Sequence, residues 1–250
     1  IGFDFFNLSS EFHSFPSGHS STIFTVALVA ALFFPKIKYF FIFLAFLVGF
    51  SRVVVGAHFF TDVVGGIVIS FVGVKIATMF LEKMNYLNLN KIKPKFNKSG
   101  DLNFYTIFFI FFLVMIFVSV GPSIDIYLSS LFYYGDKQFF LQSYYDVTIF
   151  FRKVIIRAII VYVLIMPIMS LIFPLKLIFF NHVFTVKEII FVWIISLFNS
   201  LIIVNLLLKN LWGRARPGDT LQLGGEELFT PWYQISDSCN TNCSFVSGDA

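Results

Sequence analysis

Three short stretches of this 250-residue chain put chemically capable side chains at fixed intervals. The stretch 51–62, SRVVVGAHFFTD, holds Arg52, His58 and Asp62 where one apolar run ends and the next begins. His58 and Asp62 are four positions apart, so on a helical turn they would share a face. A carboxylate there can hold one ring N–H, fix the tautomer and leave the other nitrogen as nucleophile or base. The same pair also serves as an ordinary polar helix start. Arg52 suits phosphate oxygens through its guanidinium fork, though an Arg at the end of a span also snorkels to the interface. The stretch Pro16-Ser17-Gly18-His19 stands directly before another apolar run. Backbone N–H groups of Ser17 and Gly18 at a helix start would favour an anion, and His19 would supply a proton to a leaving oxygen. A plain helix-capping turn has the same residues. The stretch KNLWGRARPGD, 209–219, clusters Lys209, Arg214 and Arg216, either for lipid headgroups or as a cationic clamp on phosphate. Two His and a carboxylate also suggest a metal triad, but Arg52, Lys209 and Arg216 around it would repel a cation and suit an anion.

These stretches need a scaffold, and composition names its medium. Hydrophobic residues make up 58% of the chain, 37 residues are Phe, and mean hydropathy is +0.84. That places the chain among integral membrane proteins, and its length allows about six helices at ~20 residues each. The apolar runs are continuous rather than alternating, which argues against a barrel. The expected fold is all-α: a polytopic membrane protein with about six transmembrane helices in a bundle. Runs at 20–34, 39–55, 63–81, 103–120, 154–173 and 188–208 supply the spans. The mixed segment from Gly121 to Lys153 reads as interfacial amphipathic helix and loop. Net charge is +4, and no feature points to nucleic acid. His13 and His182 are isolated and receive no role.

Topology follows from counting spans. With the Lys-containing turn 35–38 and the Lys-rich stretch 82–101 in the cytoplasm, His19, Arg52, Asp62, the 121–153 segment and Lys209 all emerge on the opposite face. Cys239 and Cys243, close together in a polar tail on that face, suit a disulfide.

K-x6-RP, PSGH and SR-x5-H-x3-D together resemble the three signatures of the phosphatidic acid phosphatase type 2 superfamily. Here they are Lys209 to Arg216-Pro217, Pro16 to His19, and Ser51-Arg52 through His58 to Asp62. The resemblance implies a membrane lipid phosphatase with a six-helix bundle and no cofactor or metal. It implies that His58 attacks phosphorus, Asp62 orients it and His19 protonates the leaving oxygen. It also implies that Arg52, Ser17, Gly18, Lys209 and Arg216 hold the phosphoryl oxygens. The implied partners are membrane lipids and a lipid phosphate or pyrophosphate substrate, with the site on the extracytoplasmic face of a bacterial inner membrane. The expected pH profile is bell-shaped, with His58 neutral and His19 protonated.

The order of the signatures is second, third, first, whereas the family runs first to third. Residues 244–249, SFVSGD, echo residues 14–19, SFPSGH, at four of six positions. An offset near one domain length suggests a tandem repeat. Residues 1–81 then form the C-terminal half of one phosphatase domain, 82–102 a cytoplasmic linker, and 103–250 the N-terminal half of a second. Ser247, Gly248 and Asp249 would be a variant second signature, with Asp249 where His is expected. This hints at the lipid A phosphatase-like branch, where acidic residues occur. The rival arrangement is one circularly permuted bundle in which Lys209 and Arg216 close on His58. A catalytically degenerate lipid-phosphate-binding or scaffolding module is the alternative to an enzyme.

Overall fold

A computed structural model describes residues 18–83, 98–119, 123–135, 138–140, 177–179, 182–199, 202–203 and 214–236. The helices are α1 (Gly18–Phe33), α2 (Lys38–Val54), α3 (Phe60–Lys83), α4 (Lys98–Ser119), α5 (Ser123–Ser130) and α6 (Val186–Leu197). Two short antiparallel pairs accompany them: β1 (Tyr133–Gly135) with β2 (Gln138–Phe139), and β3 (Leu177–Phe179) with β4 (His182–Phe184). The expectation of an all-α chain therefore holds for the bulk of the described residues and misses two hairpins. The first lies inside the 121–153 segment, where helix and loop were expected.

The apolar runs become helices as their length and composition dictate. Among the described residues, 35–54 and 60–80 are long and apolar enough to cross a bilayer. α4 covers residues 103–119 of the fourth run, and α6 covers the start of the sixth. The fifth run, 154–173, lies outside the described residues, so the expectation of six spans extends beyond them. The Pro35–Ile37 turn between α1 and α2 is 3-10, with proline at its start. Thr185 begins α6 with a capping box: its Oγ1 accepts from the Glu188 amide at 3.3 Å, and Glu188 Oε2 accepts from the Thr185 amide at 2.7 Å.

α3 is the centre of the bundle. Of its apolar window 56% is buried, against 17% for α2. α1 packs on both α2 and α3, while α4, α5 and α6 also touch α3. The core joins Phe24, Leu28 and Val29 of α1, Ala45 and Val53 of α2, and Val63, Ile67 and Phe71 of α3, with Phe191 and Ile195 of α6. α2 turns a stripe of Ala45, Gly49 and Val53 inward, four residues apart each time. Small residues there let the helices approach closely: a Cβ on Gly49 would sit 3.0 Å from Val63. Its other face leaves Phe40, Phe43, Phe46, Leu47 and Phe50 exposed, a row suited to hydrocarbon rather than water.

A neutral polar seam runs through this core. Ser70 Oγ of α3 lies 2.8 Å from the Ser21 carbonyl of α1 and 2.7 Å from the Gly66 carbonyl of its own helix. Asn199 Nδ2 donates to Thr25 Oγ1 at 2.6 Å, and both residues are fully buried. Gly73 makes room for Asn199, whose amide would collide with a Cβ at that position.

Candidate active site

The site begins in the turn between α2 and α3. Arg52 occupies the last turn of α2, where a cation is favoured by the helix dipole. Its carbonyl then accepts from two amides, Ala57 at 3.0 Å and His58 at 3.2 Å. This closes the turn and delivers His58 to the head of α3. The reversal needs Gly56, whose φ is +69° and whose Cα faces the Phe139 ring so closely that a Cβ would collide with it. Phe139 comes from β2, so the first hairpin forms a wall of the site. The same ring approaches Gly218, two residues after Arg216.

His58 precedes α3 and Asp62 lies in its first turn, so the pair spans a helix entry rather than one helical face. The two side chains nevertheless meet: Nδ1 of His58 is 3.8 Å from Oδ2 of Asp62, and both residues are buried. Asp62 Oδ2 also accepts from the Phe59 amide at 2.9 Å, satisfying one unpaired donor at the helix start. With Nδ1 turned to the carboxylate, Nε2 is the nitrogen on the far side of the ring.

The second oxygen of Asp62 is held from far along the chain. Arg214 Nη1 donates to Asp62 Oδ1 and, at 2.9 Å, to Thr61 Oγ1. Its Nη2 donates to Asp125 Oδ2 at 2.8 Å, and its Nε to the Thr230 carbonyl at 2.7 Å. Asp125 in turn takes the Thr61 amide on Oδ1 at 3.0 Å and the Thr61 hydroxyl on Oδ2 at 2.5 Å. Arg214 is fully buried, stacked over the ring of Phe59 at 4.4 Å and near that of Phe229 at 5.3 Å. A buried guanidinium requires partners of this kind.

The segment that carries Arg214 holds two short 3-10 turns, Pro217–Asp219 and Leu221–Leu223, rather than α-helix or sheet. The Leu221 amide donates to the Glu227 carbonyl and the Glu227 amide to the Asp219 carbonyl, both at 2.8 Å. The loop so closed returns the chain to Thr230 beside Arg214.

Residues 2–86 match the family model described as the PAP2 superfamily. The chain is 32% identical over 139 residues to the lipid A 4'-phosphatase of Francisella tularensis subsp. novicida, covering 56% of this chain and 62% of that protein. It is 45% identical over 62 residues to a lipid A 1-phosphatase of Rhizobium johnstonii, a quarter of each. A lipid A 4'-phosphatase of Rhizobium etli is 43% identical over 54 residues. The chain thus spans less than two thirds of the length of these curated relatives. No solved structure matches it.

Within the matched stretch, Arg52, His58 and Asp62 lie along the α2–α3 connection and its two helix ends, and Gly18 begins α1. His19 lies in the first turn of that helix. Ser17 is outside the described residues, as are Lys209, Cys239, Cys243, Ser247, Gly248 and Asp249. Beyond the matched stretch, Arg216 is half-buried and follows Arg214 by two residues. One refinement concerns Arg214, grouped by sequence with Lys209 and Arg216 either for lipid headgroups or as a cationic clamp. It is wholly buried and committed to two carboxylates, because a clamp must face its ligand and this side chain faces the protein. Sequence reading also passed over Thr61 and Asp125. Asp125 gave one signal, an acidic residue near the start of a short helix within an aromatic-rich segment, but nothing pointed it at Asp62.

Proposed function

We propose that this protein is a bacterial membrane phosphatase that removes phosphate from a lipid phosphate monoester or pyrophosphate through a phosphohistidine on His58. The observation that carries this is the buried His58–Asp62 pair at 3.8 Å, with Nδ1 turned to the carboxylate. The PAP2 match covers that pair, and relatives named lipid A phosphatases support a phosphorylated glycolipid as the substrate class.

Nε2 of His58 attacks phosphorus, forming an N–P bond as the P–O bond to the lipid breaks. His19 gives its proton to the departing oxygen. Water then attacks the phosphohistidine, His19 takes up a proton, and inorganic phosphate leaves with the imidazole restored. Asp62 holds the ring and stabilises its positive charge. Arg52, Arg216, Lys209 and the backbone at Ser17 and Gly18 neutralise the phosphoryl oxygens, where most of the barrier reduction arises. No metal enters these steps. The site faces the extracytoplasmic side of the inner membrane, with the exposed Phe row of α2 in the lipid.

We also read residues 1–81 and 103–250 as contributing to one composite site. The bonds from Arg214 to Thr61 and Asp62 support this arrangement. The test is phosphate release from lipid A or phosphatidate in mixed detergent micelles. We expect turnover in the parent chain and acid-labile 32P labelling that disappears in His58→Ala. Undiminished turnover by His58→Ala would reject the reading.

A further inference from the structure

We propose that Asp125, which lies outside all three signatures, is a positioning residue for the His58–Asp62 pair and acts through Arg214. The inference rests on the reading of His58 as the nucleophile.

A guanidinium beside a single carboxylate tends to engage both of its oxygens with two parallel N–H bonds. If Arg214 did this to Asp62, Oδ2 would be drawn toward the guanidinium and away from His58. The structure shows the fork divided instead. Nη1 goes to Asp62 Oδ1, Nη2 goes to Asp125 Oδ2, and Nε goes to a backbone carbonyl. Asp62 Oδ2 instead accepts from the Phe59 amide and faces His58. Thr61 fixes the division: its hydroxyl accepts from Nη1 and donates to Asp125 Oδ2. Arg214, Asp62 and Thr61 are at most 1% exposed and Asp125 4%, so water does not supply substitute partners.

Charge supports the same role. The three groups Arg214, Asp62 and Asp125 together sum to one negative charge at the head of α3. That charge matches the positive ring that His58 becomes when phosphorylated or protonated. Without the Asp125 charge, Arg214 would neutralise Asp62 alone and weaken its hold on the ring. Asp125 sits on α5, so a helix outside all three signatures sets the orientation of the nucleophile.

A merely structural Asp125 would tie α5 to α3, and the two Thr61 bonds would suffice for that. The test separates the two roles in the full chain, with phosphatidate in mixed micelles as the probe. Asp125→Asn keeps an acceptor for the Thr61 amide and removes the charge. We expect kcat to fall about 10- to 100-fold, the range seen when an orienting partner behind a reactive side chain is lost. KM should stay within about threefold, because Asp125 does not touch the lipid. The loss should vanish in an Arg214→Gln background, since the effect runs through Arg214. A kcat within about twofold of the parent, or losses that add in full, would overturn the proposal. Should Asp125→Asn fail to fold, Thr61→Val removes the bridging hydroxyl and carries the same expectation. A second readout does not need turnover. In 15N-histidine-labelled protein, the His58 ring signals, assigned by their absence in His58→Ala, should move in Asp125→Asn. Unchanged signals would overturn the inference. If the parent releases no phosphate, the phosphatase reading fails, and these signals alone decide the role of Asp125.

Discussion

Two buried polar regions meet in α3, and they are built on opposite principles. At its head, Arg214, Asp62, Asp125 and Thr61 form a charged network from three distant parts of the chain. Further along, Ser70 bonds to α1, while Asn199 of the 198–199 segment bonds to Thr25 beside Gly73 of α3, by neutral contacts alone. The neutral seam glues helices in the manner expected of membrane interiors, where small hydroxyl and amide groups can be satisfied one bond at a time. The charged network is costly to assemble and tolerates no missing member, because each charge depends on the others for its solvation. Such a network makes weak glue, and its value lies in holding Asp62 and His58 in one arrangement.

The comparison breaks first at His58. If the charged region exists for chemistry, His58→Ala should lower phosphate release by about 10⁴-fold or more, the scale found when a nucleophile or its base is removed. Its melting temperature in detergent should stay near that of the parent. Loss of folding without a selective loss of rate would recast the region as structural. Arg214→Gln comes next. It strands two buried carboxylates and should cost about 3–5 kcal/mol of stability, read from chemical unfolding of the solubilised protein. Gly56→Ala sharpens the boundary between the two regions. A side chain there meets Phe139 and must adopt φ near +69°, so stability should fall by about 1–3 kcal/mol and activity with it. The smallest effect belongs to the seam. Ser70→Ala should cost about 0.6 kcal/mol, the average for a hydrogen bond between membrane helices, and leave kcat unchanged. A seam variant that altered kcat as much as an Arg214 variant would erase the distinction.

Much of this arrangement is legible from the chain alone. Continuous apolar runs specify helices, since a backbone in hydrocarbon must satisfy its own hydrogen bonds. Their ends fall at PKIK, at Arg52 and at Asp62, close to where the helices stop and start. The hairpin at 133–139 was missed because two- and three-residue strands leave no periodic signal. The His58–Asp62 pair was legible as a spacing, although a helical face was expected and a helix entry was found. Arg214 was legible only as a positive charge in a basic cluster. Its burial depends on Asp125, 89 residues away, and on Asp62, 152 residues away, which no local pattern encodes.

The sequence by itself determined that this is a helical, apolar chain carrying a stretch that matches the PAP2 family model, with an imidazole and a carboxylate four residues apart. Local chemistry suffices for that, because hydropathy and spacing act over one or two turns. Tertiary structure alone decided which cations are spent inside. Arg214 and Arg216 are the same residue type two positions apart, one fully buried and one half-buried. A guanidinium can be buried only where partners converge on it, and that convergence is a property of the packed chain.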